Sequence, residues 1–216
     1  MSTLATPVKT AILTLLAALL ASPALAADRC ADLKAFRAKP ETALRVATPK
    51  IRNDLPHTVL QSQRGRGDTI LMGKIHVEKR ARYKTAYKVH DAPGGGVCVV
   101  LQRVEVTVEL SPVTIYIAKQ SRPGGCEYKV TLEHERKHLK YERQAMAAQL
   151  KKLEGRIRAT RKPFHAANER DAKRRAEKLI SGWVDKALQN ADRDAEVKHR
   201  RLDASSSSKF EAERCD

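Results

Sequence analysis

Residues 128–157 read YKVTLEHERKHLKYERQAMAAQLKKLEGRI. Leu132, Leu139, Met146, Leu150, Leu153 and Ile157 recur at helical steps, so they form one apolar stripe of an α-helix. His134 and His138, four apart, fall on nearly the opposite side, with Val130, Tyr141, Ala145 and Ala148. A helix with one large apolar face and one smaller, His-bearing face is expected to sit between a sheet and another helix.

Outward from this helix the pattern changes twice. Downstream, Arg161-Lys162-Pro163 breaks the helical period, and a second helix is predicted from about Phe164 to near Leu202. Its stripe is Ala172, Ala176, Leu179, Ile180, Trp183, Ala187 and Val197. The short connection predicts an antiparallel helical hairpin with its turn near Pro163–Phe164. Upstream, Val104, Val106, Val108 and Leu110 alternate with Arg103, Glu105, Thr107 and Glu109, a strand with one buried face. Ser111-Pro112 is read as a turn into a further strand, Val113, Ile115 and Ile117. Thr69–His90 reads as one or two strands, and Asp91–Gly96 as a loop. Residues 27–66, interrupted by Pro40, Pro49 and Pro56, support no assignment. The half-polar strand faces predict an antiparallel sheet. The expected fold is therefore α+β: a small antiparallel sheet packed on a long C-terminal antiparallel helical hairpin.

Residues 1–26 read as a secretory signal, with Lys9 before an apolar run from Ala11 to Leu20 and small residues ahead of a cut at Ala27. An uncleaved anchor is the alternative. Residues 27–203 are expected to form a single domain and 204–216 a tail tied by Cys215, in a periplasmic or secreted protein. Four cysteines, Cys30, Cys98, Cys126 and Cys215, suggest two disulfides in an oxidising compartment. Of three possible pairings, Cys98–Cys126 and Cys30–Cys215 are favoured: one would tie a strand to the His-bearing helix, the other would join the termini. The net charge is +17, from 42 Lys+Arg against 25 Asp+Glu. Such a chain is drawn to anionic surfaces, and export favours the cell envelope over nucleic acid. The same charge can also simply solvate long helices.

His134-Glu135-Arg136-Lys137-His138 matches H-E-x-x-H, the zinc-hydrolase signature. Imidazoles four residues apart on a helix can hold one metal ion, and the intervening Glu135 can act as general base toward water. Read alone, the pair could also be surface histidines on a charged helix. A catalytic zinc site needs a third protein ligand. Glu154 lies too far along the helix; Glu142, one turn from His138, points about 40° away around the axis, yet its carboxylate can reach and stays a candidate. A hairpin turning at Pro163 places Asp194 level with His134, and a lone acid on an apolar stripe needs a partner. Asp194 is the expected third ligand, with an ordinary salt bridge as its alternative. Tyr141 is a candidate oxyanion donor or a packing residue. His165 follows the break at Pro163 and is read as a loop residue, and His76, His90 and His199 show no ligand-like spacing.

Cys126-Glu127-Tyr128, the segment Leu132–His138 and the terminal Lys198-His199-Arg200-Arg201-Leu202-Asp203 followed by Cys215 carry a resemblance. The chain resembles a family of small exported bacterial proteins of unassigned function, described as Zn-dependent (H-E-x-x-H) proteases. The resemblance spans about residues 70–216. It implies His134 and His138 as metal ligands and Glu135 as base, and names neither a third ligand nor a substrate. Two functions are thus in play. One is an exported zinc-dependent hydrolase acting on peptide or protein. The other is a non-enzymatic basic protein binding anionic wall polymer, lipid or an acidic protein. Oligomeric state is not legible in the sequence.

Overall fold

A computed structural model of the chain describes Cys30, Leu33, residues 36–62, residues 71–205 and Cys215. The expected signal lies outside these residues, as does most of the tail. The elements in order are β1 (Lys39–Val46), β2 (Lys50–Arg52), α1 (His57–Ser62), β3 (Gly73–Asp91), β4 (Val97–Ile117), α2 (Cys126–Ala159), β5 (Phe164–Ala166) and α3 (Glu169–Ser205).

The fold is α+β, but the sheet is mixed, which corrects the expected antiparallel one. β4 is its spine. β3 runs antiparallel along one edge of β4 from end to end. On the opposite edge, β1 pairs in parallel with residues 103–110 and β2 in parallel with residues 114–116, while β5 pairs antiparallel with residues 97–99. The alternation read from the sequence reports which face of a strand is buried. It carries no information on strand direction, and the parallel partners come from the segment that had no assignment.

Ser111-Pro112 does not turn the chain. β4 continues for 21 residues through it. Val77 pairs with Val113 and Lys79 with Leu110, so β4 holds one extra residue there, a β-bulge. Pro112 lacks an N–H, and a bulge is where a strand tolerates that. The extra residue also switches the inward parity. Val104, Val106, Val108 and Leu110 face the core before it, and Val113, Ile115 and Ile117 after it.

α2 and α3 cover this inner face. Leu139, Met146, Leu150, Leu153 and Ile157 of α2 join Ala176, Ile180, Val184, Ala191 and Ala195 of α3 over the β4 valines in one cluster. Burial of each large apolar side chain stabilises by about 1.5–3 kcal/mol. Val197, expected in the α3 stripe, is exposed, and Ala195 takes the inward position. The outer face stays polar: Lys39, Glu41 and Arg45 of β1, Arg103, Glu105 and Glu109 of β4, and Arg80, Arg82 and Lys84 of β3.

The helices are antiparallel, yet their connection is not a tight turn at Pro163. The chain leaves α2, adds Phe164–Ala166 to the sheet as β5, and only then enters α3. Asn168 caps that entry: its Oδ1 accepts a hydrogen bond from the Asp171 amide at 2.9 Å, and Glu169 and Asp171 complement the helix dipole. This detour shifts the facing register of the two helices.

The disulfides are Cys30–Cys98 and Cys126–Cys215, correcting both expected pairings. The expected Cys98–Cys126 bridge needed β4 to fold back at Ser111. An unbroken β4 instead separates its ends by on the order of 60 Å, far beyond disulfide reach. No helix among the described residues is long and apolar enough to cross a membrane. Two disulfides are compatible with a secreted protein.

Candidate metal centre

The histidines of H-E-x-x-H sit near the start of α2, where the end of α3 passes. His134 Nε2 and His138 Nε2 are 2.9 Å apart. Asp203 Oδ1, from the last turn of α3, lies 3.2 Å from His134 Nε2 and 3.0 Å from His138 Nε2. His134, His138 and Asp203 form a group able to hold a metal ion. Three ligand atoms of a tetrahedral zinc site with bonds of about 2.0–2.1 Å stand roughly 3.3 Å apart. The triangle here is slightly tighter and has the right shape. Two imidazole nitrogens and a carboxylate oxygen at these distances need a proton or a cation among them, since each presents a lone pair.

Burial tunes the set. The His138 side chain is 9% exposed, that of His134 15% and that of Asp203 27%. Burial holds His138 below the ordinary histidine range; Asp203 opposes this, while His134 and His199 add to it. A neutral imidazole is the form that binds metal.

Asp194, the expected third ligand, is elsewhere. Its Oδ2 accepts a hydrogen bond from Gln149 Nε2 at 2.6 Å, three helical turns beyond His138. The β5 detour is the cause: His134 faces Asp203, nine residues further along α3 (203 − 194) than a turn at Pro163 predicts. The missed signal was the spacing of His199 and Asp203, which repeats on α3 the four-residue step of His134 and His138 on α2.

Glu135 is buried at 4% exposure and lies outside the three-ligand group. It packs under the first residue of β3. A Cβ on Gly73 would stand 2.7 Å from Glu135 Oε1 and 2.5 Å from Thr131 Cγ2, so only glycine lets β3 pass this close to α2.

His199 and Glu142 support the centre from behind. His199 Nδ1 is 2.7 Å from His138 Nδ1, and His199 Nε2 is 3.0 Å from Glu142 Oε1. The Lys79 ammonium forms an ion pair with Glu142 Oε2 at 2.6 Å and donates a hydrogen bond to Asp192. Burial pushes the Glu142 carboxyl up, but His199 and Lys79 outweigh it and hold it below the usual carboxylate range. Burial lowers Lys79, and Asp192 and Glu142 more than reverse this.

Other candidates sit apart. Thr42 donates to Glu154 at 2.6 Å, joining β1 to α2. Lys198 stacks over Tyr141. His165 lies in β5 beside Gly95, His76 near Glu78, and His90 against Phe36. Comparison with protein-family models, with curated proteins and with solved structures finds no match to this chain.

Proposed function

We propose that this chain is an exported zinc-dependent hydrolase, a peptidase, with His134, His138 and Asp203 as ligands and Glu135 as general base. The observation that carries the reading is the convergence of three ligand atoms from two helices at 2.9–3.2 Å, inside an H-E-x-x-H helix. Three protein ligands leave a fourth position open, as catalytic zinc sites require. Zinc, when bound, supplies a positive charge that lowers the pKa of water to about 7 and polarises a carbonyl. Glu135, next in sequence to His134, accepts the proton of the attacking water and returns it to the leaving amine. A peptide substrate fits the surroundings. β3 is an edge strand among the described residues, and its first residue lies directly over Glu135. An extended peptide adding to that edge presents its amides beside the base. Export is supported by the signal-like N-terminus and the two disulfides.

Protein purified without chelator should carry close to one zinc per chain. Glu135→Gln should keep the zinc and lose hydrolysis of a quenched-fluorescence peptide mixture. Metal-free protein that takes up no zinc at micromolar concentration refutes the proposal.

One observation favours a second reading. Among the described residues, the outer face of the sheet carries Lys39, Arg45, Arg80, Arg82, Lys84 and Arg103, with Glu41, Glu78, Glu105 and Glu109 as the acids between them. A basic protein binding anionic wall polymer, lipid or an acidic protein would use this face. Salt-sensitive binding to anionic vesicles that survives Glu135→Gln, with no hydrolysis by the native chain, supports it.

A further inference from the structure

Beyond the three ligands, the two helices and β3 contribute a continuous chain of polar contacts with a direction built into it. It begins at Lys79 Nζ, passes through Glu142 to His199 Nε2, and leaves from His199 Nδ1 to His138 Nδ1. The proton positions along it follow from which groups can only donate and which can only accept. An ammonium only donates, and a carboxylate only accepts. Glu142 Oε1 therefore receives its hydrogen bond from His199 Nε2–H. A neutral His199 then has a bare Nδ1, which must accept from His138 Nδ1–H. His138 is left with its lone pair on Nε2, the atom that faces His134 and Asp203; because the Asp203 carboxylate also only accepts, the proton among these three atoms in metal-free protein is the His134 Nε2–H, 2.9 Å from His138 Nε2 and 3.2 Å from Asp203 Oδ1.

We infer that Glu142, through His199, is a positioning residue that fixes His138 in the Nδ1–H tautomer and so keeps Nε2 free for the metal. Lys79 sets the polarity of this relay by occupying the second oxygen of Glu142. The inference rests on the proposed metal centre. It extends that reading by naming a fourth and a fifth residue on which metal affinity depends, neither of them a ligand. Ordering of a ligand histidine by an outer partner changes metal affinity by about 10- to 100-fold.

Glu142→Gln gives a sharp test, because it preserves shape and reverses direction. Lys79 will claim the amide oxygen, so the amide NH2 will face His199 Nε2. His199 must then accept there and carry its proton on Nδ1. His138 becomes the acceptor at Nδ1 and holds its proton on Nε2, where the metal would bind. The expected results are a 10- to 100-fold loss of zinc affinity and a switch of His138 from the Nδ1–H to the Nε2–H pattern in 15N-resolved NMR of metal-free protein. The double variant Lys79→Met/Glu142→Gln frees the amide to rotate and present its oxygen to His199. It should recover the Nδ1–H pattern and most of the lost affinity. A merely structural role would not be rescued by removing a second group from the same cluster. Glu177→Gln, a carboxylate on α3 beside Tyr87, should change neither readout.

An Nε2–H His138 or a doubly protonated His199 in the native metal-free protein overturns the inference, as does an unchanged zinc affinity in Glu142→Gln. These failures are distinct from failure of the metal reading. If the native chain binds no zinc while His138 shows the Nδ1–H pattern and Glu142→Gln reverses it, the relay stands and the zinc centre falls. If His134→Ala abolishes zinc binding while Glu142→Gln does not weaken it, the centre stands and the relay falls.

Discussion

Asp203 Oδ1 lies 3.0 Å from His138 Nε2, although the two residues belong to opposite ends of the helical pair. The last turn of α3 thereby completes what the motif on α2 begins. Asp203→Ala should lower zinc affinity at least tenfold, since even partners outside the ligand set cost that much. Asp194→Ala should leave affinity unchanged, because Asp194 bonds Gln149. Competition titration with a chromophoric chelator separates the two variants.

Gly73 and Glu135 make a second test. A methyl group at Gly73 would press on Thr131 Cγ2 and on Glu135 within 3 Å. Gly73→Ala should destabilise by about 1–3 kcal/mol, the usual range for overpacking. Thr131→Ala in the same chain should recover part of that loss. A double-mutant cycle in urea measures the coupling, and additive effects would contradict the contact.

Three groups of the cluster and its support contribute to the pH dependence of metal-free protein. His138 lies below its ordinary 6.5 in the folded state, so the unfolded chain takes a proton first and stability falls as pH drops below 6.5. Glu142 lies below 4.5, so its contribution is present above 4.5 and disappears as pH falls through its folded value. Lys79 lies above 10.5, so its contribution is present below 10.5 and disappears as pH rises through its folded value. Urea midpoints should therefore be highest between these limits. They should decline in two acid stages, and His138→Gln should remove the first.

Two covalent links close loops of 68 and 89 residues. In the chain-entropy model each stabilises by about 4.5 kcal/mol. Non-reducing peptide mapping should recover Cys30 with Cys98 and Cys126 with Cys215. Replacing both members of one pair by serine should lower the urea midpoint clearly, and unchanged midpoints would deny the links a structural role.

Strand and helix periods in this chain were strong enough to read directly. The β4 valines and the α2 stripe from Leu139 to Ile157 face the core as their spacing requires. Three things escaped because they depend on partners distant in sequence. Thr42, Leu44 and Val46 alternate with Glu41, Ala43 and Arg45, yet nothing local says that β1 runs parallel to β4. Ser111-Pro112 has the composition of a turn, and only the valine pairs on either side show it to be a bulge. The level at which α3 crosses α2 depends on Phe164–Ala166 joining the sheet, a choice decided by Val97–Val99 rather than by the hairpin. An error there put Asp194 in place of Asp203 opposite His134 and His138, whose own pairing is set by local spacing.

The pairing of β5 with β4 also limits how this chain can change length. The cluster at His138 and Asp203 lies about 30–50 Å of helix away from β5, measured along either α2 or α3. Adding or removing one residue anywhere between His138 and Ala159, or between Glu169 and His199, would turn the far end by about 100°. The cluster would then come apart while the core merely repacked. Length changes in residues 160–163 leave both helices phased to the sheet, because β5 and Asn168 restart the count before α3 begins. Relatives that keep this centre should therefore differ by substitution along both helices, and by insertion only ahead of β5.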